Sequence, residues 1–414
     1  MDDRQTDGGI NPFISNLSSL NLLFSLSMTI FSFTLIIFIE ENAINVIYGG
    51  IGLSIGEIIM IFTLIPQGRL IDKGHSFSLM VIGSLLYGIL IIFLFFIVTA
   101  RLYYFVLVPM SVALIIVSQG MFRSSMNSFI AKAISFKIIG KNYARIITME
   151  TIGTAIGFAI FSFGSYYSIL GLIYLGAGIL LSVMSVLIFM VLQAKQRELM
   201  KSEESKTPRP GFRESFSRLR GKMDFIAPLV SSKVFMNIGV IAYTFFYIPT
   251  GLSIGIPVFY SSIFLLSSYV LGIVWGKIGE KFIDNHRSFG RKFVSLAMMI
   301  DIFTFGLILF SVYYHNFYTF AAAALFASPG TLLISGALSY EASVIGREDR
   351  GIFSSVQRLS VGIVAIFMTI ILTYLYEYHF QILWFVVFGS ACMSFLLSFT
   401  IPAKYSSSLA VNAS

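Results

Sequence analysis

The feature that most constrains this chain is a recurrence. Apolar runs of about twenty residues follow one another along almost its whole length, separated by short polar breaks. A helix needs about 20 mostly apolar residues to cross the ~30 Å hydrocarbon layer of a bilayer. The 414 residues are 57% hydrophobic and only 12% charged. A soluble domain carries about 25% charged residues, so a globule of this composition has too little polar surface to stay in water. A lipid-facing exterior removes the conflict and sets the expectation of an all-α, multi-pass membrane protein embedded in the bilayer.

Apolar runs and their breaks predict twelve spans, near 17–39, 44–67, 77–99, 103–130, 145–166, 170–193, 226–249, 254–275, 293–312, 317–345, 351–375 and 381–402. The positive charge then falls on one side. With both termini and the even-numbered loops on that side, they hold 24 of the 28 Lys and Arg residues, and only Arg101 falls in an odd-numbered loop. Losing one span from the count would move every later loop to the other side and erase the bias. Basic loops mark the cytoplasmic face, so both termini are expected there and the protein in the cytoplasmic membrane. Tyr pairs and triplets (Tyr103–Tyr104, Tyr166–Tyr167, Tyr313–Tyr314 and Tyr374, Tyr376, Tyr378) mark the opposite ends, where an amphipathic ring suits the headgroup layer.

The net charge of +8 is accounted for by these loops and gives no reason to expect nucleic acid. The acidic, polar start, Met1–Gly9, lacks the basic region of a signal peptide, so the first apolar run is expected to stay as a helix. The single cysteine, Cys392, excludes an internal disulfide and a multi-cysteine metal site. Neither a phosphate-binding Gly-x4-Gly-Lys-Ser/Thr loop nor a His-Glu-x-x-His metal motif occurs. No cofactor, metal or enzymatic activity is expected.

The longest polar stretch, Lys195–Met223, carries charge runs, Pro208 and Pro210. It divides the chain into a six-span half over 1–193, a linker over 194–225 and a second six-span half over 226–414. The halves echo each other. After the second span comes Gly68-Arg-Leu-Ile-Asp72-Lys73, and after the eighth comes Gly276-Lys-Ile-Gly-Glu280-Lys281, both of the form Gly-x-x-x-acid-Lys. Internal repeats around a midplane site characterise secondary transporters.

On these residues the chain resembles the major facilitator superfamily, whose loop signature is Gly-x-x-x-Asp-Arg/Lys-x-Gly-Arg/Lys-Arg/Lys between its second and third helices. Gly68, Asp72 and Lys73 match it; Gly74 comes one residue early, and His75-Ser76 replaces the basic pair. The family's fourth-helix Arg followed by Gln-Gly is inverted here, as Gln119-Gly120 before Arg123. The exporter pattern Gly-x-x-x-Gly-Pro-x-x-Gly is kept only as Gly153-x-x-x-Gly157, with Phe158 in place of Pro. The resemblance implies two six-helix bundles with both ends cytoplasmic, and a cavity lined by the first, fourth, seventh and tenth helices. It also implies that Asp72 meets the N-terminal end of the eleventh helix, where the macrodipole favours an anion.

Charges within hydrocarbon cost about 3 kcal/mol or more and are functional candidates by default. Glu57 lies about eleven residues before Gly68, roughly 16 Å deep at 1.5 Å per residue, and is a candidate proton-coupling carboxylate; a packing partner in a neighbouring helix is the structural alternative. Gln119, Arg123 and Asn127 share one face of the fourth span and are candidates for an anionic substrate group, unless Arg123 simply pairs with Glu150. Asn237, Tyr243 and Tyr247 are further cavity candidates. Arg145, Glu150, Glu341 and Arg358, at the inner ends of spans, are expected to latch one conformation, with Asp72, Lys73, Glu280 and Lys281 acting in the gating loops. Lys233 is expected to snorkel to the surface. Asp301, in a peripheral span, is expected to have a buried structural partner.

The expected function is movement of a small-molecule solute by alternating access, coupled to protons or another ion, by a monomer. Export of amphipathic, drug-like compounds is the first expectation. Uptake of a sugar, organic acid or other metabolite by proton symport is the alternative. A non-transporting receptor or scaffold on the same fold is the alternative of another class, and it requires Glu57 and Arg123 to tolerate substitution.

Overall fold

Lipid offers no partner to a backbone N–H or C=O, so a spanning segment satisfies both within a helix. The computed structural model describes residues 12–71, 75–133, 139–203, 217, 219–286, 289–402 and 404–405, and twelve of its helical stretches are long and apolar enough to cross a membrane. In chain order the helices are α1 (Pro12–Glu41), α2 (Ile47–Leu70), α3 (Ser76–Ala100), α4 (Tyr104–Ala133), α5 (Ile139–Tyr166), α6 (Leu170–Glu203), α7 (Met223–Ser253), α8 (Val258–Asn285), α9 (Arg291–Tyr314), α10 (Phe317–Phe326), α11 (Gly330–Val344), α12 (Gly346–Tyr378) and α13 (Phe380–Ser398). Helices α10 and α11 form one span, the tenth. Pro329 interrupts it because proline has no N–H to continue the ladder.

Several helices outrun the apolar stretches that announced them. α2 runs to Leu70 and α8 to Asn285. Gly68, Gly276 and Lys281 therefore sit in helices rather than in the loops expected from the sequence. No proline or turn dipeptide follows either apolar run, and nothing stops a helix at the hydrocarbon boundary once its side chains are polar.

Small residues set the closest approaches, as expected where lipid supplies no hydrophobic drive between helices. In α2, a Cβ on Gly52 would lie 2.7 Å from Val112 Cβ and 2.8 Å from the Pro109 carbonyl oxygen of α4; Gly56 meets Ile116 and Ala113 in the same way one turn on. In α5, Gly153 and Gly157 lie against the backbone of α1 at Leu22 and Leu26. The partial exporter pattern thus serves to bring α1 and α5 together.

Helices α1–α6 pack on one another, as do α7–α13, and two long seams join these sets: α5 along α8, and α2 along α12. The α5–α8 seam is closed at both ends. Ser162 donates to Ser262 at 2.8 Å near the tyrosine-rich end, and Gly276 and Gly272 receive Thr148 and Thr151 near the basic end. The α2–α12 seam is closed from the tyrosine-rich end, where Gly50 faces Thr373 and Ser54 donates to the Ile366 carbonyl at 2.9 Å, down to Gly362 against Ile61.

The glycine contacts give a stability prediction. Gly52→Val adds an isopropyl group against the α4 backbone and is expected to destabilise the purified protein by about 1–3 kcal/mol. Gly176, exposed with nothing near its would-be Cβ, is the control: Gly176→Ala is expected to be neutral or to stabilise by up to about 1 kcal/mol through helix propensity. Thermal unfolding in detergent checks both.

Candidate functional site

Burial along the two central helices is polarised. In α1, residues 29–39 are all buried, and in α7, residues 246–251 are all buried. These are the tyrosine-rich halves, closed by Phe33 against Tyr243, Phe246 against Tyr376, and the Tyr376 hydroxyl donating to Glu40 at 3.2 Å. Toward the basic end the α7 positions 233–237 are all partly exposed, and a small cavity lies between α2, α4, α7 and α12.

Three ion pairs join helices in this region among the described residues. Glu57 of α2 faces Arg358 of α12 across the seam at 3.6 Å. The Arg358 guanidinium also lies 3.0 Å from the Met60 sulfur. Arg123 of α4 pairs with Glu150 of α5 at 2.9 Å and lies 3.1 Å from the Met28 sulfur, while Gln119 reaches the same sulfur at 3.3 Å. Lys233 of α7 pairs with Glu341 of α11 at 2.5 Å. Two arginines, one in each set of helices, thus share one arrangement: a carboxylate on one side and a thioether on the other.

Their environments differ. The Arg123 and Glu150 side chains are 41% and 35% exposed, so the pair is wet and is worth little to stability. Lys233 and Glu341 are 13% and 6% exposed. Lys233 does not snorkel, because a carboxylate waits within reach inside the protein. Glu57 is largely buried and Arg358 half-exposed. Beside them is a cavity of about 70 Å³ lined by Leu53, Ile116, Asn237, Ile241 and Phe245, among others. That volume holds several waters and is far below the ~300–1,000 Å³ of a drug-sized site.

The charged residues expected to act as inner latches therefore find other partners: Glu341 takes Lys233, Arg358 takes Glu57 and Glu150 takes Arg123. Of the cavity candidates, Asn237 lines the cavity. Tyr247 does not; it is fully buried and donates to the Phe320 carbonyl at 3.0 Å. Tyr243 packs between Phe33, Tyr247 and Phe305. The cavity is lined by α2, α4, α7 and α12, not by the first, fourth, seventh and tenth spans, since the α2–α12 seam brings Glu57 and Arg358 to its wall. Asp72 and Lys73 lie outside the described residues, as do the side chains of Asn127, Arg145 and Glu280. Lys233 was legible as an intramembrane charge; its pairing with Glu341, over a hundred residues away, left no mark in the sequence.

A family model described as Major Facilitator Superfamily matches residues 17–300. The chain belongs to that superfamily of membrane transporters. No curated protein matches its sequence. Among solved structures it is similar to the nucleoside transporter NupG, at 16% identity and TM-score 0.62 over 95% of this chain and 98% of that one. It is also similar to the proton:xylose symporter XylE, at 11% identity and TM-score 0.68 over 94% and 96%. A third is a bacterial homologue of the iron transporter ferroportin, at 14% identity and TM-score 0.61 over 95% and 99%. At these identities the likeness is one of fold.

The buried pair yields a second prediction. Lys233→Met leaves the Glu341 charge without its partner and is expected to cost about 3–5 kcal/mol, whereas Lys233→Met combined with Glu341→Gln restores most of it. Chemical or thermal unfolding of the single and double variants checks this.

Proposed function

We propose that the protein is a proton-coupled secondary transporter that moves a small solute across the cytoplasmic membrane by alternating access, with Glu57 as the coupling carboxylate and the basic loops on the cytoplasmic side. The observation that carries this reading is the Glu57–Arg358 pair, which joins the two sets of helices across the α2–α12 seam. Protonation of Glu57 removes the charge that holds Arg358, and the seam loses its ionic tie. Deprotonation restores it. One carboxylate thereby links proton occupancy to the relative position of the halves, and the closed tyrosine-rich end with the cavity beyond it corresponds to an inward-facing state. Alternating access then proceeds by rocking of the six-span halves, 1–193 and 226–414, with the protein acting as a monomer.

The chemistry of the cavity favours an amphipathic solute of low charge and, with the partly kept exporter pattern, its export. The charges at the wall are paired with each other, leaving Ile116, Ile241, Phe245 and the Asn237 amide to meet the solute. A second reading, uptake of a polar uncharged metabolite, is favoured by the amides of Asn237 and Gln119 and by the resemblance of fold to transporters of nucleosides and xylose.

The test is flux in proteoliposomes against a panel of amphipathic dyes, nucleosides and pentoses, with an imposed pH gradient. One pH unit is worth about 1.4 kcal/mol per proton, and so drives a roughly tenfold solute ratio at one-to-one coupling. Wild type is expected to reach that ratio. Glu57→Gln is expected to equilibrate solute without accumulating it, while still exchanging labelled for unlabelled solute. Unaltered accumulation by Glu57→Gln removes the coupling role, and absence of flux for every solute favours the non-transporting alternative.

A further inference from the structure

Of the three ion pairs, the one at the cavity wall is the loosest. Arg123 meets Glu150 at 2.9 Å and Lys233 meets Glu341 at 2.5 Å, whereas Arg358 and Glu57 stand 3.6 Å apart. A nitrogen and an oxygen at that separation attract as charges but share no hydrogen bond. The pair therefore has donors and acceptors to spare. A guanidinium carries five N–H donors in a fixed fork. Among the described residues that of Arg358 makes one hydrogen-bond contact, at 3.0 Å to the Met60 sulfur, a weak acceptor. Glu57 Oε2 lies beside Gly362, buried and without a hydrogen bond.

Two further polar groups line the same cavity without partners. Neither the Asn237 amide of α7 nor the hydroxyl of Thr369 of α12, a residue only 3% exposed, makes a hydrogen bond among the described residues. A native interior leaves few buried polar groups unsatisfied, and each one calls for an explanation. Here a carboxylate, a guanidinium, an amide and a hydroxyl border one space of about 70 Å³, between apolar walls that include Leu53, Ile241 and Phe245.

We propose that this cavity takes the uncharged donor–acceptor head of the solute, a primary carboxamide or the equivalent amide edge of a ring, with its C=O accepting from Arg358 and its N–H donating to Glu57. The proposal deepens the transporter reading and rests on it for the presence of a solute at this cavity. Charge decides the class. A cationic head is repelled by Arg358 as it is drawn to Glu57, and an anionic head the reverse. A zwitterion answers both, but it carries two full charges between apolar walls, and protonation of Glu57 leaves its ammonium group without a counter-charge. An amide brings no charge, and a protonated Glu57 still offers it a donor and an acceptor. The 3.6 Å separation means that Glu57 and Arg358 part to admit the head without breaking a hydrogen bond. Asn237 and Thr369 then act as specificity-determining residues, each supplying a hydrogen bond to the remaining N–H or carbonyl lone pair. A site built to hydrogen-bond its solute rejects an analogue that lacks the group, because its own polar atoms are left unpaired.

Three probes that share an isopropyl body test this on the purified protein in lipid nanodiscs, with empty nanodiscs as the blank: isobutyramide, its ester analogue methyl isobutyrate, and the zwitterion valine. Binding is read by saturation-transfer NMR of the probe, with no pH gradient and no flux. Isobutyramide is expected to bind saturably, the ester about tenfold more weakly or less because it has no N–H to give, and valine not at all. Thr369→Val, which keeps the side-chain shape, and Asn237→Leu are each expected to weaken isobutyramide severalfold and to leave the ester unchanged; Thr369→Val serves even where Asn237→Leu yields no protein. Equal binding of amide and ester, tighter binding of valine, no saturable binding of isobutyramide, or an amide preference that both variants leave intact overturns the proposal. Any of these results beside intact pH-driven flux removes the head-group assignment alone, whereas amide binding without flux for any solute removes the transport reading.

Discussion

Hydrocarbon gives a charge no solvent, so a carboxylate or ammonium within it depends on another side chain. This structure is organised around that dependence. Glu57 and Glu341 are largely buried and each lies opposite a cation on a different helix, while Glu150 meets Arg123 at a wetter site. The pairs within one set of helices, Arg123–Glu150 and Lys233–Glu341, tie α4 to α5 and α7 to α11. Of these three pairs, Glu57–Arg358 is the one that lies between the two sets of helices, on the α2–α12 seam.

The seams that flank this pair are made differently. Along α5–α8 the contacts seen among the described residues include glycine against threonine, serine against serine and ring against ring. Along α2–α12 similar neutral contacts cover the tyrosine-rich half and end in an ionic one. Neutral packing of this kind is insensitive to protons, whereas an ion pair with one titratable partner is not. In the proposed rocking mechanism, the α2–α12 seam, with its titratable ion pair, is the one that responds to protons.

Much was legible in the chain before any coordinates. Twelve spans followed from the apolar runs and from the side on which the basic residues fell. The Gly-x-x-x-acid-Lys echo pointed to the family, because residues that stay near each other in sequence carry their own message about length, side and repeat. Helix ends were less legible: Gly68 and Gly276 lie within helices, since a polar run stops a hydrocarbon span without stopping a helix. The pairing of charges was not legible. Lys233 with Glu341, Glu57 with Arg358, and Asp301 without a partner among the described residues are outcomes of helix order and rotation, and local sequence encodes neither.

The sequence by itself therefore determined the solvent, the secondary structure and the number of crossings, because each is a property of twenty consecutive residues meeting a layer of fixed thickness. Tertiary structure decided which charges are neutralised and by whom, where the cavity lies, and which half of each central helix is encased. Those are matters of distances between helices far apart in the chain. In hydrocarbon, where an unpaired charge is costly, a few ångströms of helix rotation decide whether a carboxylate meets a cation on another helix.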